Sequence, residues 1–345
     1  MPNYTYENKV IENKYNSVLI SDLQDSDFLT VDESLTASAG DTVEIVTRTV
    51  SGTMQDVAMG AGNTTDITVT GIVMPYKVKT KQGRFVYYDE QVAKDPECVD
   101  AGVKGMAEVA RNAWLDEAFE QYNKAYSKQV TATGTAATFD NFADAVALFG
   151  EKDTDLRALI NPADVAGLRK SLKDDLKYSE DFARTGYVGL CSGVPIKRSA
   201  AVPAGEILIV KKDAVTLFVK KNTEIEQERD ANLRKNSVYS RKVAVCALTD
   251  ETHVVRIAQE DPTLAQSNFI VTASAANATI MVSDMKWAAG ITYYAFVNGV
   301  FVGSVNTVDE GSANIPAEFK QGDAILVIRK RDGYKAASET ITAVA

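Results

Sequence analysis

The chain is poor in the residues that most often carry chemistry. Its 345 residues include one histidine and three cysteines. The histidine, His253, lies in Glu251-Thr252-His253-Val254-Val255, a β-type stretch that favours a structural role. No serine or cysteine has a histidine beside it in sequence to form a nucleophile–base pair. Cys98, Cys191 and Cys246 are odd in number, far apart and without a CxxC pair. That excludes a disulfide framework and suits a reducing compartment. Long apolar runs are missing too: nothing approaches the ~18 residues that span a bilayer. The first residues, MPNYTYENKVIENKYN, have no apolar signal core, so the chain is expected to be made and folded in a cytoplasm, away from membranes. The Asn-x-Thr triplets at Asn3, Asn63 and Asn277 are then chance matches.

Basic residues are also in deficit. Lys and Arg number 37 against 47 acids, a formal net charge of -10. Gripping nucleic acid by counterion release needs a dense basic face, which this balance does not supply. Gly60-Ala61-Gly62 lacks the frame of a phosphate loop. Asp22, Asp25, Asp27 and Asp32 lack the glycine and terminal glutamate of a calcium loop and read as a solvated acidic arm. Arg329-Lys330-Arg331, beside an Asp-Gly turn, reads as an exposed strand end. No catalytic residue, metal site or cofactor is expected.

What is present is a globular composition, 45% hydrophobic and 24% charged, in a chain long enough for two or three domains. Residues 1–40 form a polar arm anchored by Val18-Leu19-Ile20 and Phe28-Leu29. DTVEIVTRTV (41–50) and ITVTGIVMPYKVKT (67–80) alternate as strands around a Gly- and Thr-rich tip at 51–66. A turn at Lys81-Gln82-Gly83 is expected to follow, leading into RFVYY. Arms of ~10–14 residues would reach roughly 35–45 Å, too far to bury both faces within one domain. Residues 95–128 read as one helix with Asp95 as N-cap and Pro96 in the first turn, a rod of roughly 50 Å. A linker (129–138), a helix (139–149), a strand (156–160) and a helix entered through Asn161-Pro162 and running to about Leu172 come next. A loop (174–192) precedes strands at 193–202, 206–211, 215–220, 223–228, 238–247 and 252–258. From 268 to 345 the pattern is all-β, with hairpin turns at Asn298-Gly299 and Asp332-Gly333, which suits a small immunoglobulin-like sandwich.

The order of these parts, with ALINPADVAGLRK (158–170), GVPIKRSAAVPAGEILIVKKDAVTLFVKK (193–221) and EIEQERDANLRKNSVYSRKVAVCALTDETHVVRIA (224–258), resembles the major capsid proteins of tailed bacteriophages, which share the HK97 fold. The resemblance implies an α+β fold: an N-arm at 1–40, then a shell domain at 41–262. Within that domain it implies an E-loop at about 43–80, a spine helix at about 95–128 and an A-domain at about 130–235. The stretch ITYYAFVNGVFVGSV, followed by NIPAEFKQGDAILVIRK, resembles bacterial and phage Ig-like domains and places one at 268–345.

Gly52, Met54, Val57, Met59, Gly60 and Gly62 would make inter-subunit contacts, and Val99, Val103, Met106, Trp114, Phe119 and Tyr122 would line the spine helix. The implied role is an icosahedral head shell around double-stranded DNA, built from hexamers and pentamers in the host bacterial cytoplasm. A separate scaffolding protein, a portal and loosely held DNA would be its partners, with a host-surface or glycan ligand for the Ig-like domain. Some members cross-link an E-loop lysine to a neighbour's asparagine. No lysine occurs between 51 and 76, so a non-covalent shell is expected. An encapsulin-type compartment, a surface adhesin and an enzyme are the alternatives, in that order.

Overall fold

A computed structural model of the chain describes residues 11, 15, 28–37, 40, 42–150, 154–171, 190–262, 269–275, 278–283, 290–306 and 312–344. Most of the N-arm, including Asp22, Asp25 and Asp27, and most of the 174–192 loop lie outside them. Two compact units emerge, one from residues 1–41 and 77–259, the other from 42–76 and 260–345.

The first unit holds two sheets. The four-stranded sheet has the order β1 (Thr30–Asp32), β10 (Val215–Asp230), β11 (Lys235–Leu248), β4 (Lys79–Tyr88). β4 runs unbroken where the Lys81-Gln82-Gly83 turn was expected, because each of these residues takes a partner on β11: Lys242, Arg241 and Ser240. Gly83 keeps the strand extended and leaves room for the helix above, since a Cβ there would sit 3.4 Å from Met106 Cγ. β10 fuses the strands expected at 215–220 and 223–228, with register shifts at Val219/Lys221 and Lys221/Glu224. The break in the pattern is a bulge rather than a turn.

The spine helix runs Cys98–Lys124, shorter than the 95–128 expected. Pro96 sets its start. A residue before proline is pushed to extended backbone, and Asp95 sits at φ -139, ψ 96, where it ends a separate short helix, Asp89–Lys94. Asp95 therefore does not cap the spine; its Oδ1 accepts from the Glu97 N–H, and Glu97 takes the cap position. At the far end the Tyr126 and Ser127 N–H groups both donate to Glu251 Oε1, which turns the chain out of the helix. About 27 residues give a rod of roughly 40 Å. One face, including Val99, Val103, Met106, Trp114, Phe119 and Tyr122, is buried in a core shared with the sheet and with Ile11, Tyr15, Phe28 and Leu29 of the arm.

The six-stranded sheet has the order β5 (Gln129–Thr131), β12 (Val254–Ala258), β9 (Glu206–Lys211), β6 (Leu156–Ile160), β8 (Val194–Arg198), β7 (Leu190–Cys191). Helices Phe139–Ala147 and Val165–Ser171 contribute Phe142, Ala145, Val165 and Leu168 to its core. The expected A-domain span of 130–235 is thus divided. Its sheet stops at Lys211 and regains β12 later, while β10 pairs into the other sheet. The expected linker begins as a strand, since β5 pairs in parallel with β12. The 161–172 helix begins only at Val165, because Asn161 Oδ1 accepts from the Ala163 N–H in a turn and its Nδ2 donates to the Val202 carbonyl.

The second unit joins the hairpin of β2 (Thr42–Ser51) and β3 (Thr68–Lys77) to a seven-stranded β-sandwich. The 41–262 stretch expected as one shell domain therefore lends its hairpin to the C-terminal unit. The sandwich has β13 (Ile270–Ser274), β14 (Thr279–Ser283) and β17 (Ser312–Pro316) in one sheet. The other has the order β16 (Val300–Asn306), β15 (Ile291–Val297), β18 (Ala324–Arg331), β19 (Ala337–Thr342). The fourth strand pairs with the third rather than joining the first sheet, which distinguishes it from the constant-type arrangement. Tyr293, Ala295, Val297, Ile325 and Val327 face Phe269, Val271, Ile280, Val282 and Ile315 across the interior. Asn298 and Gly299 make the β15–β16 turn with φ of 51° and 82°, the left-handed pair that a two-residue hairpin needs.

Arg329-Lys330-Arg331 is not an exposed strand end. Arg329 and Lys330 are buried because β18 is an interior strand of its sheet. Arg329 lies over the Phe269 ring and Arg331 Nη1 pairs with Asp261 at 2.9 Å.

Candidate assembly surfaces

Among the described residues, the hairpin tip carries the two most exposed large apolar side chains, Met54 and Met59. Every residue from 52 to 70 is exposed; Met59 is fully so and Met54 is 92% exposed. Val57 is exposed on the tip as well, and Val50, Ile67 and Val69 extend the same surface toward the arms. Contiguous exposed apolar surface of this kind marks an interaction site. The tip is shaped by its own polar bonds rather than by a core. Gln55 Oε1 accepts from the Thr64 N–H at 2.9 Å and from the Thr64 and Thr65 hydroxyls. Asn63 Oδ1 accepts from the Thr65 N–H.

Gly52 and Gly60 carry φ of 148° and 83°, and a Cβ at Gly52 would lie 2.9 Å from Ile67 Cα. Glycine is required at both. Gly62 has open space around it and an ordinary φ, so only its smallness is on view. The six expected contact residues thus fall together on one projecting loop. Gln55 was missed because a lone glutamine has no pattern in sequence. From 49 to 76 the only charged residues are Asp56 and Asp66.

The six expected spine residues form the opposite kind of surface. All are buried within the subunit, in the core that the helix shares with its sheet. The helix also buries a carboxylate that sequence reading missed. Glu117 Oε2 lies 2.8 Å from Lys81 Nζ, Oε1 lies 3.6 Å from Lys79 Nζ, and Oε1 accepts from the Cys246 N–H at 3.4 Å. Lys81 also stacks over Trp114, 4.2 Å from the ring centre. A second buried pair, Arg256 Nε with Glu206 Oε1 at 3.2 Å, joins the adjacent strands β12 and β9 of the six-stranded sheet, and Arg256 Nη2 also donates to the Tyr122 carbonyl near the end of the spine. Tyr122 Oη in turn donates to the Phe28 carbonyl at 2.6 Å, which fixes the root of the arm. Burial pushes the Tyr122 hydroxyl pKa up, so it remains a donor.

His253 lies in a 3-10 turn, Glu251–His253, rather than in a strand. Asp250 caps that turn by accepting from the Thr252 N–H. The imidazole sits between two carboxylates, Nδ1 at 3.0 Å from Asp213 Oδ1 and Nε2 at 3.5 Å from Asp250 Oδ2. Both neighbours are carboxylates, and neither is a serine or cysteine. A groove of about 760 Å³ between the spine and the six-stranded sheet is lined by Arg111, Asp116, Lys197, Arg198, Leu115 and Leu159, with no His or Cys in its lining. Among the described residues no cluster of three metal-ligating side chains occurs. Nor is any helix among them long and apolar enough to cross a membrane.

The first unit thus sets a long helix against a four-stranded sheet and carries a second, six-stranded sheet, and the second unit carries an exposed apolar hairpin. No family model matches the chain. The major capsid protein of Staphylococcus phage phiMR11 is 28% identical over 243 residues, which cover 68% of this chain and 86% of that one. The capsid of an empty GTA particle superposes with a TM-score of 0.54 at 11% identity, over 66% of this chain and 87% of that one. The mature capsid of bacteriophage PhiM1 superposes with a TM-score of 0.50 at 13% identity, over 67% and 85%. The chain has the HK97-like capsid fold and is similar in sequence to a phage major capsid protein.

Proposed function

We propose that this chain is a major capsid protein that assembles with copies of itself into the icosahedral head of a tailed phage. The observation that carries the reading is the sequence likeness to a phage major capsid protein over 68% of the chain, on an HK97-like fold. The subunit's work is repeated symmetric association rather than turnover. Its exposed, base-free hairpin tip reaches a second copy. A standard interface buries ~1,600 Å² in total, and a projecting arm adds to whatever the subunit bodies bury.

The shell is non-covalent, forms as hexamers and pentamers in the host cytoplasm, and uses a separate scaffolding protein and a portal. Its net charge of -10 suits a wall that encloses DNA while holding it loosely. The C-terminal sandwich is an Ig-like module. Its β13-β14-β17 sheet leaves Ile270, Thr272, Met281 and Asn314 exposed on the outer face, a surface open to a host-surface or glycan ligand.

Negative-stain microscopy of the purified protein tests the reading. Closed polyhedra or capsomers are expected. Discrete monomers after every assembly trial would sink it. DNA-free particles that carry protein cargo would point instead to an encapsulin-type compartment.

A further inference from the structure

The sandwich is covered on a face that an appended module would leave bare. β15 and β18 alternate between the sandwich interior and an outer face. Tyr293, Ala295 and Val297 point inward. Their neighbours Thr292, Tyr294 and Phe296 point outward, opposite Lys330, Ile328 and Leu326. Four of these six are nevertheless buried, Ile328 at 0% exposed, Lys330 at 1% and Tyr294 and Phe296 at 6% each, and Thr292 and Leu326 are half-buried. Phe301 on β16 completes an aromatic group, with ring centres 5.5 Å from Phe296 and 6.4 Å from Tyr294. On the other sheet, by contrast, Ile270 and Met281 are exposed.

Within the same compact unit the only described strands outside the sandwich are those of the hairpin. Its lower half is one-sided. Val43 is buried and Ile45, Ile72, Met74 and Tyr76 are half-buried, while Val46, Val69 and Val73 on the other side are exposed. The two parts meet where they can be measured. A Cβ on Gly299 would lie 2.8 Å from Ile72 Cδ1 and 3.3 Å from its Cγ2, so the β15–β16 turn lies directly against the hairpin at Ile72.

We infer that the outer face of the β15–β18 sheet is a docking surface for the base of the hairpin, and that the sandwich holds the arm in the pose in which its tip meets a second copy. This rests on the reading of the hairpin as an inter-subunit arm. A two-stranded ribbon is marginal alone in water. An apolar face laid on Gly299 and the Tyr294, Phe296 and Phe301 group supplies the burial it lacks. The sandwich is then a part of the assembly machinery, whatever its free sheet binds.

Hydrogen exchange on the full-length chain, with particle yield measured alongside, tests the inference. Ile72→Asp from the hairpin side and Phe301→Ser from the sandwich side should each speed exchange of amides 42–50 and 68–76 at least tenfold. The spine helix should be unchanged, and particle yield should fall at least tenfold. Met59→Ser at the tip should leave exchange at the hairpin base unaltered. Hairpin exchange within twofold of the wild type in both variants would overturn the docking. A loosened hairpin with full particle yield would overturn its role in assembly. If the wild-type chain forms no particles, the shell reading fails, and the exchange rates still decide whether the sandwich holds the hairpin.

Discussion

Two glycines three residues apart on the spine helix should respond oppositely to the same substitution. In a helix interior, Gly→Ala is ordinarily stabilising by about 1 kcal/mol, because alanine has less backbone entropy to lose. At Gly105 nothing lies within 4 Å of the added Cβ, so the gain should appear in full. At Gly102 the added Cβ would fall 2.2 Å from Phe85 Cζ and 2.5 Å from both Cε atoms. The ring must move. Phe85 is half-buried and stacked on Tyr87 at 5.8 Å, so it swings outward and forfeits that packing. Full burial of such a side chain is worth about 1.5–3 kcal/mol; losing half or more costs about 1–2 kcal/mol and cancels or exceeds the propensity gain.

Gly105→Ala should therefore raise the melting temperature, by roughly 2–4 °C per kcal/mol for a unit of this size. Gly102→Ala should leave it unchanged or lower it. The two variants should differ by about 1–2 kcal/mol in denaturant unfolding of the unassembled subunit, scored on the helix signal. Phe85→Leu should recover part of the loss in the Gly102 background and none in the Gly105 background, a coupling that a double-mutant cycle isolates. Equal stabilisation at both glycines, or equal effects of Phe85→Leu in both backgrounds, would refute the claim that the helix is set against β4 at Gly102.

Glu117→Ala should cost about 2–3 kcal/mol in the same unfolding assay. That is less than the ~3–5 kcal/mol of a fully buried pair, because the Lys81 side chain is 29% exposed and water takes over part of its solvation. With a thiol reagent at neutral pH the native chain should react first at half-buried Cys98. Cys191, whose pKa burial pushes up to about 11, and buried Cys246, also raised by desolvation, should react only on unfolding. Three equally fast thiols would contradict this. Acid should loosen the β15–β16 turn. The Asp323 pKa is held below its ordinary 3.8 by the Lys320 N–H and the Asn298 amide. A depressed carboxylate contributes stability above its unfolded pKa and loses it as pH falls through the folded one. Protection at residues 297–300, measured against the intrinsic exchange rate at each pH, should thus fall below about pH 4 in the wild type and not do so in Asp323→Asn.

Local pattern carried much of the fold to the page. Leu156–Ile160 and Glu206–Lys211 stand where their unbroken apolar runs put them, and Asn298-Gly299 turns where its left-handed preference requires. Most of the errors share one cause, which is that pairing partners are distant in sequence. Gly83 reads as a turn until Ser240 is opposite it, and Gln129–Thr131 reads as a linker until β12 lies alongside. The end of the spine was invisible for the same reason, since the acceptor for the Tyr126 N–H is Glu251, 125 residues away. The start at Pro96 was legible but misread. Proline suits the first turn of a helix, yet it also forces Asp95 out of helical backbone, and here the second effect won.

The candidate surface divides along the same line. The tip could be found from sequence because none of the described residues covers it: glycine, methionine and threonine without a base are a composition, and composition survives unfolding. What holds the tip could not be found that way. β15 and β18 have apolar or aromatic residues on both faces, and in sequence that reads only as a strongly hydrophobic strand. A strand with both faces apolar must be buried on both, and a lone two-sheet sandwich can bury just one face of each sheet. The excess at Tyr294, Phe296 and Ile328 is therefore a demand for a cover. The half-apolar base of the hairpin, Val43, Ile45, Ile72 and Met74, is a face in need of the same thing. Each surplus is unexplained alone, and the contact of Ile72 with Gly299 is where they account for one another.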